Sequence, residues 1–283
     1  MSLFVLKLLL LKHIMGKLIE VRPGEDISAA IDNDPRDHSH ILLLSGVHLP
    51  KTVVIKKHVN IFCEAGAVID ITGDGRDYSC GVYINGPYNV LIYGMTIISH
   101  NGITVYDNNA TTSGKTPDWR NSIKFINCKI VGVGGCGQRG INVGENSKVR
   151  ILGCEIKQFI FGVHLADCYV SVLNCDISDC SEAGIYIYNK VGVNIVFNKI
   201  HHNLGAGVRI IDNDNRSIIG PNTMFANVGL EIRMFDKKYR MDREYYMAQM
   251  DSLNDEYRNV DAPGAPQMSD YEFDIMYPNY PWR

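Results

Sequence analysis

The sequence predicts an all-β solenoid, with short parallel strands wound into stacked coils, and three observations carry that prediction. A glycine followed by an aliphatic, a variable and a second aliphatic residue returns as Gly81-Val-Tyr-Ile, Gly102-Ile-Thr-Val, Gly140-Ile-Asn-Val, Gly162-Val-His-Leu, Gly184-Ile-Tyr-Ile, Gly207-Val-Arg-Ile and Gly229-Leu-Glu-Ile. Apart from the step from Gly102 to Gly140, successive glycines lie 21 to 23 residues apart, and a fixed period in this range is the signature of a solenoid. A second series is interleaved with the first, ending at Ile97, Ile130, Ile156, Ile177 and Ile200 and closing more loosely at Met224. Both series alternate with period two and are broken by Gly, Asn and Asp, which is strand chemistry rather than helix chemistry.

Strands this short gain stability by pairing with their equivalents in the next coil, about 4.8 Å away. Equivalent positions then form columns. In Gly-Ile-x-Val the aliphatics face inward and x faces outward, while the glycine is expected to turn a corner where a Cβ would crowd. The second series sets Met95, Cys128, Cys154, Cys175, Asn198 and Asn222 in one column. There cysteine serves as a small core residue and asparagine as a rung of a hydrogen-bonded ladder. Beside it, the outward residues Thr96, Lys129, Glu155, Asp176, Lys199 and Thr223 read as a solvated stripe, where opposite charges in adjacent coils support each other weakly.

Along the chain, residues 1–17 form an apolar extension. Its run "MSLFVLKLLLLKHI" contains Lys7 and is too short to span a bilayer, and no small-residue cleavage site follows it. It reads as an apolar cap or strand ahead of Met15, with a targeting segment as the alternative. Residues 18–235 hold the solenoid, opened by a strand and a cap helix with Ile27, Ala30 and Ile31 on one face. Residues 104–121, rich in Asn, Thr, Gly and Pro, read as a loop thrown out of one coil and explain the long glycine step. Residues 236–260 place Tyr246, Met250, Leu253 and Tyr257 at helical spacing among charges, an amphipathic helix. Residues 261–283 are an extended arm punctuated by Pro263, Pro266, Pro278 and Pro281.

A net charge of −3 argues against a nucleic acid or an anionic membrane as partner. The eight cysteines follow neither the paired spacing of a zinc site nor the density of a small secreted scaffold. They read as free thiols in a reducing compartment, and no metal site is expected from them.

Chemistry is sought on the outward columns. The one after the glycines runs Tyr83, Thr104, Asn142, His164, Tyr186, Arg209 and Glu231. Alternating aromatic and polar groups suit a polysaccharide chain, and an ordinary polar strand face is the alternative. A second column at the strand ends runs Asp107, Glu145, Asp167, Asn189 and Asp212. Stacked carboxylates need a cation, a hydrogen bond or a proton to relieve their repulsion, unless Asp and Asn close turns there through their own backbone. His164, Asp167, Arg139 and Arg209 together would supply base, orienter and carboxylate clamp for abstracting a proton from a uronic acid. The arm, with Tyr271, Phe273, Tyr277, Tyr280 and Trp282, is expected to bind a protein partner or a further copy of the chain, aided by the amphipathic helix before it.

The strand–helix–strand opening and the run "ILLLSGVHLPKTVVIKKHVNIFCEAGAVI", followed by the repeats, resemble the pectate-lyase-like superfamily of right-handed parallel β-helix proteins over roughly residues 18–235. The resemblance implies a right-handed parallel β-helix, a scaffold that hosts lyases, hydrolases, epimerases and non-enzymes, tailspike and capsid-associated proteins among them. In the lyase branch it implies acids that hold calcium. The Asn-Thr-Asp, Asp-Asp, Gly-His-Gly and Arg-x-Lys set of polygalacturonases, the Arg-x-Pro-x-x-Arg of pectate lyases and the Asp-Pro-His of alginate epimerases are all missing from this sequence. The expectation is therefore a non-enzymatic scaffold that binds proteins or glycans as a structural part of a larger assembly such as a virion. It would be intracellular or virion-associated and would need no cofactor. The alternative is a polysaccharide lyase or glycoside hydrolase working along the outward groove, with calcium if a lyase.

Overall fold

A computed structural model describes residues 18–49, 51–72, 80–106, 122–133, 138–144, 146–189, 192–211, 218–229 and 232–235. Among these, three parallel sheets of nine, eight and eight strands run the length of the molecule. Each coil gives one strand to each sheet in turn, numbered here sheets 1, 2 and 3 in the order the chain meets them. In the coil around His164, for example, Lys148–Leu152 lies in sheet 1, Glu155–Lys157 in sheet 2 and Phe161–Ala166 in sheet 3. Ahead of the first full coil, strand Ile19–Val21 opens sheet 1 and is followed by helix Ile27–Asp32. Asp26 caps that helix by accepting from the Ala29 backbone N–H, and Ile27 and Ile31 are buried.

The core is a stack of aliphatic columns. On sheet 2, Ile97, Ile130, Ile156, Ile177 and Ile200 lie in register and are fully buried. β-Branched residues dominate because each presents a stiff side chain to an identical neighbour one coil away. The outward partners Thr96, Lys129, Glu155, Asp176, Lys199 and Thr223 also lie in register, as the repeat predicts.

Corners are made by left-handed residues rather than by the repeat glycines. Between sheets 1 and 2 they include Gly94, Asn127, Gly153, Asn174 and Phe197; between sheets 2 and 3, Gln158, Asp179, His202 and Ala226; between sheets 3 and 1, Gly86, Asn146, Asp167 and Asn189. The repeat glycines are the second residues of the sheet 3 strands, and what they supply is room. A Cβ on Gly162 would sit 2.6 Å from the Gly184 carbonyl oxygen and 2.7 Å from Ile177 Cγ2. The expected corner role is thus corrected to close approach between sheets 2 and 3. Similarly, Thr104–Tyr106 belong to the sheet 3 strand Asn101–Tyr106 rather than to a loop, and residues 107–121 lie outside the described residues.

The cysteine–asparagine column does more than fill space. Asn198 and Asn222 donate through Nδ2 to the carbonyls of Val172 and Ile195, both at 2.9 Å, and accept through Oδ1 from the backbone N–H groups of Cys175 and Asn198. Cys154 and Cys175 make the same downward contact through sulfur, to Phe125 and Ile151 carbonyls at 3.5 Å. A second ladder, at the corner between sheets 2 and 3, joins Cys180, Asn203 and Asn227. Burial pushes the thiols of Cys63, Cys128 and Cys154 well above their ordinary range and that of Cys180 up to about 12, with hydrogen bonding to Cys154 the largest cause at Cys128. Protonated buried thiols are packing and hydrogen-bonding groups, not nucleophiles.

Candidate functional site

The outer face of sheet 3 carries the aromatic and polar column. Register pairs set Tyr83 beside Thr104, then Asn142, His164, Tyr186 and Arg209, one residue per coil. The next residue is Arg233, two positions beyond the expected Glu231, which lies outside the described residues. The cause is the last coil's length. Gly229 donates its N–H to the Gly205 carbonyl and so occupies the place of Gly205, not that of Gly207.

Neighbours on this face hold one another. The His164 ring stacks on Tyr186 with centroids 5.1 Å apart and planes 17° from parallel. Phe161, from the flanking column, lies 4.7 Å from the same tyrosine, and the Arg209 guanidinium sits 5.6 Å from its ring centroid. Arg209 also pairs with Glu182 at 3.1 Å. Asn142 is the polar hub. Its Oδ1 accepts from Arg139 Nη1 at 3.2 Å and lies 2.9 Å from His164 Nδ1, while its Nδ2 donates to the Tyr106 hydroxyl at 2.7 Å. An amide oxygen only accepts, so His164 carries its proton on Nδ1 and leaves Nε2 as the lone-pair nitrogen. Burial, reinforced by the nearby Arg139 charge, lowers the His164 pKa to about 4, so the ring is neutral at pH 7.

Arg139, His164 and Arg209 are therefore brought onto one face, but Asp167 does not join His164 as orienter. Asp167 lies at the corner leaving sheet 3 with φ 50°, where its carboxylate accepts from Asn189 Nδ2 at 3.2 Å. The backbone bond from Asn146 to the Asp167 carbonyl puts Asn146, not Glu145, in the corner column. In the described part of that column, Asn146–Asp167–Asn189, the carboxylate is hydrogen-bonded by the amide of the next coil. Glu145, Asp107 and Asp212 lie outside the described residues, as do the arm and helix residues Tyr246, Met250, Leu253, Tyr257, Tyr271, Phe273, Tyr277, Tyr280 and Trp282. Among the described residues, no group of three or more His, Cys, Asp or Glu side chains is arranged to hold a metal ion, and no helix is long and apolar enough to cross a membrane.

Sequence reasoning missed Tyr106, Phe161 and Glu182. The first two were within reach. Phe161 stands one residue before its repeat glycine, and Tyr106 one residue after its repeat's second aliphatic, so carrying the column reading outward by one position at each end exposes both.

No curated protein matches the chain. Among solved structures, it is similar to the ORF18 protein of Geobacillus virus E2, with 13% identity, 81% of this chain and 61% of that chain covered, and a TM-score of 0.35. The chain thus spans less than two thirds of that protein's length. Residues 80–241, more than half of the chain, match the family described as the right-handed beta helix region. With three parallel sheets wound from one repeating coil, the chain belongs to the right-handed β-helix family.

Proposed function

We propose that this protein is a non-enzymatic β-helix scaffold that binds a glycan along the outer face of sheet 3 and joins a larger assembly, such as a virion, through its C-terminal arm. The observation that carries the reading is the ladder from Tyr106 through Asn142, His164 and Tyr186 to Arg209. An extended polymer lying along the stack meets one such side chain per coil. Because the side chains are already held by their neighbours, binding orders little that was free.

A lyase working here would need His164 to take a proton from substrate. A ring with a pKa of about 4 is a poor base at neutral pH, and its Nδ1 partner is an amide rather than a carboxylate. The arm's role rests on its prolines and aromatic residues, which suit extended binding at low entropic cost.

Two measurements test the reading. Full-length protein passed over immobilised acidic and neutral polysaccharides should be retained on one class without generating unsaturated-uronate absorbance. Absorbance that disappears in His164→Gln would assign the lyase reading instead. Truncation after Val260 should leave a soluble, equally stable β-helix that no longer assembles, whereas a truncated chain that unfolds would place the arm in its own core.

A further inference from the structure

The outer face of sheet 2 holds a group that the glycan reading does not use. His201 and His202 are adjacent in sequence, and in a continuous strand their side chains would point to opposite faces. His202 instead adopts φ 55° at the corner after strand Lys199–His201, and its Nδ1 comes within 2.6 Å of His201 Nδ1. The other nitrogen of His201, Nε2, donates to Asp176 Oδ1 at 2.8 Å. That bond fixes the tautomer, because a carboxylate accepts the Nε2 proton and leaves the Nδ1 lone pair facing His202. Lys199 occupies the second carboxylate oxygen at 3.3 Å, so Asp176 is committed to holding His201. Phe225 lies flat on the His201 ring, 4.9 Å away and 1° from parallel, and blocks its rotation.

We propose that His201 and His202 chelate one late first-row divalent cation, Ni²⁺ or Cu²⁺, through their two Nδ1 atoms, with water completing the coordination. A carboxylate receiving the far N–H of an imidazole is the usual support of a metal-bound histidine. Two nitrogens bound at about 2.0–2.1 Å and at right angles stand about 2.9 Å apart, close to the present separation, but the His201 lone pair points along the contact, so square-planar or tetragonal binding needs His202 to swing aside and turn its own lone pair toward the ion. His202 is exposed and meets Phe225 edge-on, with centroids 5.6 Å apart, rather than lying flat against it as His201 does, so it is the ring that swings. On binding, the His202 proton leaves Nδ1 and Nε2 takes one up, so the ring stays neutral. His38 and His58 on sheet 1 are also neighbours in register, with ring centroids 6.0 Å apart, and serve as the comparison pair.

The test is calorimetric titration of the full-length protein with Ni²⁺, together with Cu²⁺ electron paramagnetic resonance. The double variant His201→Gln/His202→Gln supplies the background from other sites. Wild type should bind one ion above that background, with two equatorial nitrogens seen on copper and one in His202→Gln. Asp176→Asn should weaken binding about 10- to 100-fold with both nitrogens still in place, and His58→Gln should change nothing. Wild-type binding no stronger than the double variant, or a two-nitrogen copper signal that survives in His202→Gln, would overturn the assignment.

Discussion

On sheet 2, Lys129, Glu155, Asp176 and Lys199 stand one above another, and Lys129–Glu155 and Lys199–Asp176 pair across coils at 3.1 and 3.3 Å. On sheet 3 the same coils present Asn142, His164, Tyr186 and Arg209, which meet through rings and an amide. The spacing is the same but the energetics differ. The sheet 2 side chains are 39–49% exposed, so their charges are screened by water and contribute little. On sheet 3 the rings shield one another enough to lower the His164 pKa to about 4. A solenoid can thus carry a salt-sensitive face and a partly dry one on one backbone, chosen only by the residue at the outward position.

The largest expected effect comes from the seam between the two sheets. Gly162→Val would drive a branched side chain into Gly184 of sheet 3 and Ile177 of sheet 2 at once, at a cost of about 4 kcal/mol or more. Thermal melting of the variant should show a large drop or no folded protein, and a wild-type melting temperature would mean that the sheets do not meet there.

Next is acid. The folded pKa of His164 lies below its unfolded value of 6.5, so the unfolded chain binds the proton more tightly. Its contribution to stability is therefore complete above pH 6.5 and is lost as pH falls towards 4, by up to about 3 kcal/mol. Denaturant titrations across that window should show the loss in wild type, and His164→Gln should flatten it. A variant with an unchanged pH profile would remove the dry face from the comparison.

Asn203→Leu should cost about 2 kcal/mol in the same denaturant assay, since the Cys180 backbone N–H and the Asn227 side chain both lose partners. Lys129→Ala should change stability by less than about 0.5 kcal/mol and should do so only at low salt. A Lys129 effect as large as that of Asn203 would erase the distinction between exposed ion pairs and buried ladders.

How much of this could be read from the chain depends on how often a position repeats. The column just ahead of the sheet 2 strands was legible because the coils from Cys128 to Asn222 set the same chemical demand, small and hydrogen-bonding, and Cys and Asn both meet it. The Cys180–Asn203–Asn227 ladder has only three members and does not rise above background. Glycine misled twice. Glycine serves both close approach and left-handed turns, so Gly229 resembles Gly207 although it takes the place of Gly205, and the repeat glycines resemble corners although they sit inside strands. Corner identity was also hidden, because Phe197, His202 and Ala226 adopt the left-handed conformation without being Gly or Asn. At the candidate site the column itself was readable, but not its bonding. That Asn142, rather than Asp167, holds His164 depends on which side chains reach across a coil.

On the proposed function the glycan lies on sheet 3, and not on sheet 2, and is bound without being cut. The most direct measurement is affinity for the retained polysaccharide in two variants of the full-length protein, Tyr186→Ala/Arg209→Gln on sheet 3 and Lys129→Ala/Lys199→Ala on sheet 2. The sheet 3 variant should bind at least about tenfold more weakly, a loss of about 1.4 kcal/mol. The sheet 2 variant should match wild type, and the polymer should be recovered uncut. Equal binding by the sheet 3 variant, or loss confined to the sheet 2 variant, would contradict it.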